Sequence, residues 1–194
     1  MIPVLAPALI AMLVIGSVTT AAAGDIEDCQ GTTSATACRR LAEQGEAWAQ
    51  RHLGWMYENG HGVMQDYTEA VKWYCKAAEQ EDAEAQYDLG QLYRLGYGIQ
   101  RNNAEAMRWF RRAADQGDGG AQYNLGFMYE AGRGVTRDLV RAYMWFDLAA
   151  RSAEPHAHQG YAIQYRDSVA SKMTPEQIAK AQQLVAEWKP KPSQ

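Results

Sequence analysis

Small and apolar residues return along this chain at a fixed interval. Ala49, Leu53, Met56 and Tyr57 stand three and four residues apart, which places them on one face of a helix. Thirty-six residues on, Ala85, Leu89 and Tyr93 repeat the pattern, and Ala121, Leu125 and Tyr129 repeat it again. Segments 42–77, 78–113 and 114–149 align without gaps. The matching positions include Gly54/Gly90/Gly126, the glycine pairs Gly60/Gly62, Gly96/Gly98 and Gly132/Gly134, and Ala70/Ala106/Ala142 with Trp73/Trp109/Trp145. Self-similarity at a period of this size is the mark of a repeat architecture.

Each unit reads as helix, loop, helix. In the first helix Gly54 removes a side chain, so that a neighbouring helix can come close. Gly60 is a C-cap in the left-handed region, where a glycine has no Cβ to clash. Gly62 lets the chain reverse, and Val63 is a candidate plug for the loop. Asp66 caps the second helix, with Glu69 completing a capping box, and Asn102 with Glu105 repeats the device. Asp138 keeps the cap, but Arg141 replaces the glutamate. The second helix buries Ala70, Trp73, Tyr74 and Ala77. One hairpin cannot cover its apolar face alone, so stacking is required. The pattern therefore predicts an all-α protein, an α-solenoid of three hairpins.

The ends differ from the repeats. Residues 35–42 resemble a partial second helix, with Cys38 at the position of Tyr74. After Ala150 the pattern decays: Ala157 and Tyr165 stay in register, but Ser168 and Ala170 stand where a glycine pair belongs. Thr174-Pro175-Glu176-Gln177 then starts a last helix, with threonine as N-cap, proline at N1 and glutamine closing the box. It should run to about Trp188. Residues 150–189 are thus a degenerate repeat with a capping helix, and 190–194 a tail.

From Ile2 to Val18 no residue is charged, and the apolar run ends in Ala21-Ala22-Ala23. This fits a signal peptide over residues 1–23, cleaved after Ala23, although the start carries no Lys or Arg. Residues 24–41 would then form an N-terminal cap, and the mature protein would have no membrane span. An exported protein is periplasmic or secreted, and its compartment permits disulfides. Of three cysteines, Cys29 and Cys38 are the favoured pair; Cys38 with Cys75 is the alternative. A net charge of −4 offers no footprint for nucleic acid.

The A-x-x-x-L-G-x-x-Y-x-x-G-x-G core, the capping Asp or Asn and the A-x-x-W-[YF]-x-x-A ending resemble Sel1-like repeats, which are related to tetratricopeptide repeats. The resemblance covers residues 42–149 fully and the flanks partly. It implies a right-handed α-solenoid that acts as an adaptor for proteins in signalling, envelope and secretion assemblies. A cysteine-rich branch is linked to penicillin binding and β-lactamase activity. Its repeats carry cysteine pairs, but here the corresponding positions, such as Ala78 and Gln86, are not cysteine.

Binding is expected on the concave face lined by the first helices, at positions facing away from the Ala49-Leu53-Tyr57 stripe. The candidates are Trp48, Arg51, Trp55 and Glu58 in the first unit, Gln91 and Arg94 in the second, and Phe127 in the third. Rings and arginine are typical interface anchors. Arg94 stands where the other units hold Glu58 and Glu130. Tyr87 and Tyr123 read as packing.

The common serine nucleophile motifs are absent from the chain. Gly60-His61-Gly62 lacks the further residues of a phosphate loop, and no G-x-S-x-G, S-x-x-K or H-E-x-x-H occurs. His156 and His158 have no nearby third ligand. No metal, cofactor or catalytic residue is expected. The reading is a non-catalytic scaffold of the cell envelope that binds a protein or peptide; the alternative is an envelope enzyme of the cysteine-rich branch.

Overall fold

The computed structural model describes residue 29, residues 35–152 and residues 158–191. The expected signal peptide, most of the cap before residue 35, residues 153–157 and the last three residues lie outside the described residues, as does His156. The described residues hold nine helices and no strand: α1 Ala35–Glu43, α2 Ala47–Asn59, α3 Tyr67–Glu79, α4 Ala83–Leu95, α5 Asn103–Gln116, α6 Gly119–Ala131, α7 Leu139–Arg151, α8 His158–Ala170 and α9 Pro175–Glu187. From α1 to α8 each helix packs on the next. The hairpins α2–α3, α4–α5 and α6–α7 form an α-solenoid. None of these helices is long and apolar enough to cross a membrane.

Each hairpin closes by the same backbone bonds. Gly60, Gly96 and Gly132 end the first helix in the left-handed region. Asp66, Asn102 and Asp138 cap the second helix through their side chains. Their own backbone N–H groups donate back to Tyr57, Tyr93 and Tyr129 carbonyls at 2.9, 2.9 and 3.0 Å. This corrects the expected capping boxes. The N–H that Glu69 and Glu105 would have accepted from is already satisfied, so these glutamates pair with Lys72 and Arg108 one turn on. It also explains why Arg141 is tolerated in the third unit.

The core is one ring per hairpin set into one missing side chain. Tyr74, Phe110 and Phe146 are fully buried. A Cβ on Gly54, Gly90 or Gly126 would meet those rings at 2.8, 2.8 and 2.6 Å. The preceding tryptophans are less uniform. Trp73 and Trp145 are buried, whereas Trp109 is only half-buried.

Two recurring contacts join neighbouring units. Gln50, Gln86 and Gln122 are buried, and each amide donates to the carbonyl of Ala42, Ala78 or Ala114 at the end of the previous helix. Gln80 and Gln116 donate in turn to the Gln50 and Gln86 side chains. A buried amide left unpaired costs about 1–3 kcal/mol, so this ladder holds the register. In the second and third hairpins the second loop glycine sits on the backbone of the preceding hairpin. A Cβ on Gly98 would lie 2.3 Å from the Tyr67 carbonyl, and one on Gly134 would lie 2.6 Å from the Asn103 oxygen. These glycines therefore admit close approach between hairpins as well as chain reversal.

The ends are fastened differently. Cys29 and Cys38 form a disulfide at the N-terminal edge, and Cys75 is free. At the other end α8 packs on α7, and the buried carboxylate of Asp147 takes Arg166 from α8 and Arg151 from its own helix. Helix α9 carries the full capping box expected at Thr174 and Gln177. It then packs against α7, and the tail crosses to α5, where the Lys191 N–H donates to the Asp115 carbonyl at 2.7 Å.

Candidate functional site

The seven candidate residues are all on first helices, but they do not form one cluster. Trp48 is half-buried against the core that surrounds the disulfide. Trp55 is 36% exposed and lies between the rings of His52 and His61, with centroids 5.5 and 4.7 Å away. Burial, followed by the Arg51 charge, holds the His52 imidazole below its ordinary pKa. His52 also lies within 4.8 Å of both disulfide sulfurs, but those sulfurs are bonded to each other and do not serve as metal ligands in this state.

Arg51 spans the seam between two hairpins. Its guanidinium pairs with Asp82 at 3.2 Å and Glu84 at 2.5 Å. Glu58 accepts from the Tyr74 hydroxyl at 2.7 Å. Gln91 donates to the Tyr87 hydroxyl at 3.0 Å and accepts from Arg94 at 2.8 Å. Phe127 is half-buried among the rings of Tyr123, Phe146 and Tyr165, the last only 4.3 Å away. It fills the joint between α6 and α8. Tyr87 and Tyr123 are packed as expected, on Phe110 and Phe146.

The structure adds two residues to this set. Asp88 stands on α4 between Glu84 and Gln91, at the four- and three-residue spacing of one face. Burial first, then the nearby Glu58, pushes its carboxyl up to about 8. The Tyr74 hydroxyl lies at the same seam, and burial, Asp88 and Glu58 raise its pKa. Register was the signal available. Asp88 occupies the position of His52 and Asn124, and Tyr74 that of Phe110 and Phe146. A separate hollow at the loop edge of the first hairpin is lined by Arg39, Tyr57, Met64, Asp66 and Glu69.

The set is rings, amides and ion pairs on a regular helical frame. A family model described as Sel1 repeat matches residues 49–82, 83–118 and 120–153. The chain belongs to the Sel1 repeat family. Among solved structures, a Sel1 repeat protein from Oxalobacter formigenes is 31% identical, with a TM-score of 0.64 over 86% of this chain and 74% of that one. A protective antigen present in uropathogenic Escherichia coli strains, which displays an SLR fold, is 28% identical with a TM-score of 0.51. That match covers 84% of this chain and 44% of the antigen. No curated protein matches the chain. Sel1 repeat proteins generally mediate protein–protein interaction and are typically non-catalytic scaffolds.

Proposed function

We propose that this Sel1 repeat chain is a non-catalytic scaffold of the bacterial cell envelope, holding a protein or peptide segment on a concave face lined by α2, α4 and α6. One observation carries the reading. Equivalent positions on these helices hold side chains of different chemistry over a repeating frame: Trp55, Gln91 and Phe127 at one position, Glu58, Arg94 and Glu130 at another. A surface that varies on a scaffold that does not is how a solenoid acquires a partner. Trp55 is the exposed ring among these positions, and Gln91 and Arg94 are half-buried on the same face. The apolar run before Ala23 and the Cys29–Cys38 disulfide support export.

The test is a cross-linking pull-down from periplasmic extract, with wild type beside a Trp55→Ala/Arg94→Ala variant. Partners recovered by wild type and depleted in the variant are expected. Equal recovery would remove this face from the site. Mass spectrometry of the mature chain should find Gly24 at its start. Nitrocefin should not be hydrolysed; turnover abolished by a point mutation would favour the enzyme of the cysteine-rich branch instead.

A further inference from the structure

The N-terminal edge brings two cysteines and an imidazole together. Cys38 stands on α1, His52 on α2, and Cys29 lies ahead of α1 in the chain. The two sulfurs and a ring nitrogen of His52 lie within 4.8 Å of one another. Both cysteines are fully buried. In the oxidised chain the sulfurs bond to each other, and the imidazole is left over. Its Nε2 is shielded from water and has no hydrogen-bond partner among the described residues. Burial, then the Arg51 charge, lowers its pKa and so favours the neutral ring.

A shielded nitrogen without a partner costs stability. Packing does not demand it, because the same register position holds Asp88 and Asn124 in the other hairpins. Asn124 satisfies itself on the Gly120 carbonyl at 2.8 Å. Cys38 likewise stands where Tyr74, Phe110 and Phe146 fill the core. What this corner holds instead is a donor set. Two thiolates and a neutral imidazole are zinc ligands, with sulfur about 2.3 Å and nitrogen about 2.0–2.1 Å from the ion. Ligand atoms so placed on a tetrahedron lie about 3.5–4 Å apart, within the span of these three. Two thiolates also cancel the charge of the ion, so the buried site carries none.

We propose that Cys29, Cys38 and His52 form a zinc site in the dithiol state of the chain, the state in which every chain is synthesised. Zn²⁺ and two cysteine thiols give a zinc dithiolate and two released protons, with His52 as third ligand and water in the fourth place. Closing the disulfide reverses this. A disulfide oxidant takes two electrons and two protons to become a dithiol, the two cysteines join, and the ion leaves. The corner is thus zinc-bound or cross-linked but never both, and the N-terminal edge is fastened in either state.

The test uses the full chain, reduced with a phosphine until mass spectrometry finds all three cysteines as thiols, beside the oxidised chain. In native mass spectrometry with Zn²⁺, the reduced chain should gain one zinc and lose two protons, and the oxidised chain should gain none. Competition with a chromophoric chelator then gives the affinity. His52→Asn should weaken it at least about tenfold, since changes beyond the ligands already cost about 10–100-fold. Asn is native at the equivalent position 124, so this variant keeps the fold. Cys75→Ser, at the free cysteine, should leave the affinity unchanged. With Co²⁺ in place of zinc, the reduced chain should show a thiolate-to-metal charge-transfer band that weakens in Cys38→Ser. A reduced chain that takes no zinc, folded or not, would overturn the proposal. So would zinc bound equally by the oxidised chain, or a loss in Cys75→Ser as large as in His52→Asn. Equal affinity in wild type and His52→Asn would also sink it, as two thiols binding without the imidazole.

Discussion

The three hairpins and the α8–α9 end are built from similar helices but joined by different rules. In the body, each first helix stops at a left-handed glycine, and the second loop glycine of the second and third hairpins, Gly98 and Gly134, settles on the backbone of the hairpin before it. In the last unit Ser168 and Ala170 stand at those positions, and α8 runs on to Ala170. The following helix then leaves the solenoid path. It packs on α7 and sends its tail back to Asp115. The far side of α8 is left with Tyr161 and Ile163 exposed. The difference teaches that the apolar stripe makes helices, whereas the glycine pair makes them stack.

The largest effect should come from Gly98→Ala. Its Cβ would meet the Tyr67 carbonyl at 2.3 Å, with φ at +67°, and neither backbone can yield. A loss of at least about 5 kcal/mol, enough to abolish cooperative unfolding in urea, is expected. The mirror change at the end, Ala170→Gly, should cost only about 0.5–1 kcal/mol, the ordinary cost of glycine in a helix. If both changes cost the same, the loop glycine does not distinguish the regions. Phe110→Ala should cost about 3–5 kcal/mol in the same assay, since its ring is fully buried against Gly90. Gly90→Ala should cost about 1–3 kcal/mol by pressing on that ring. Thr174→Ala should cost about 1 kcal/mol through the lost capping box, and its signature is faster exchange in α9 with the hairpins unchanged. Lys191→Ala removes an exposed ion pair to Asp115 and should shift stability by about 0–1 kcal/mol, within error of wild type.

Much of the frame was readable in the spacing. The Ala49-Leu53-Tyr57 stripe, the caps at Asp66, Asn102 and Asp138, and the box at Thr174 are local patterns, and local geometry realises them. The disulfide joins Cys29 and Cys38, the favoured pair. What sequence reasoning missed depends on contacts between units. Gln50, Gln86 and Gln122 recur in plain sight, but a polar residue on a helix reads as surface until its carbonyl partner is placed. The half-formed boxes at Glu69 and Glu105 depend on carbonyls in the previous helix. The candidate surface was legible as a face and less so as a site. Its spacing did not reveal that Arg51 ties two hairpins or that Phe127 fills a joint.

The central claim is that hairpins shelter one another in a row, so protection should depend on place in that row. Native-state hydrogen exchange, read amide by amide, tests this directly. The slowest amides should lie in α4, α5 and α6, which have neighbours on both sides, with exchange quickening toward α2 and most of all toward α9. Slowest exchange in α8 and α9, or one rate shared by every helix, would contradict a stack and describe a single bundle.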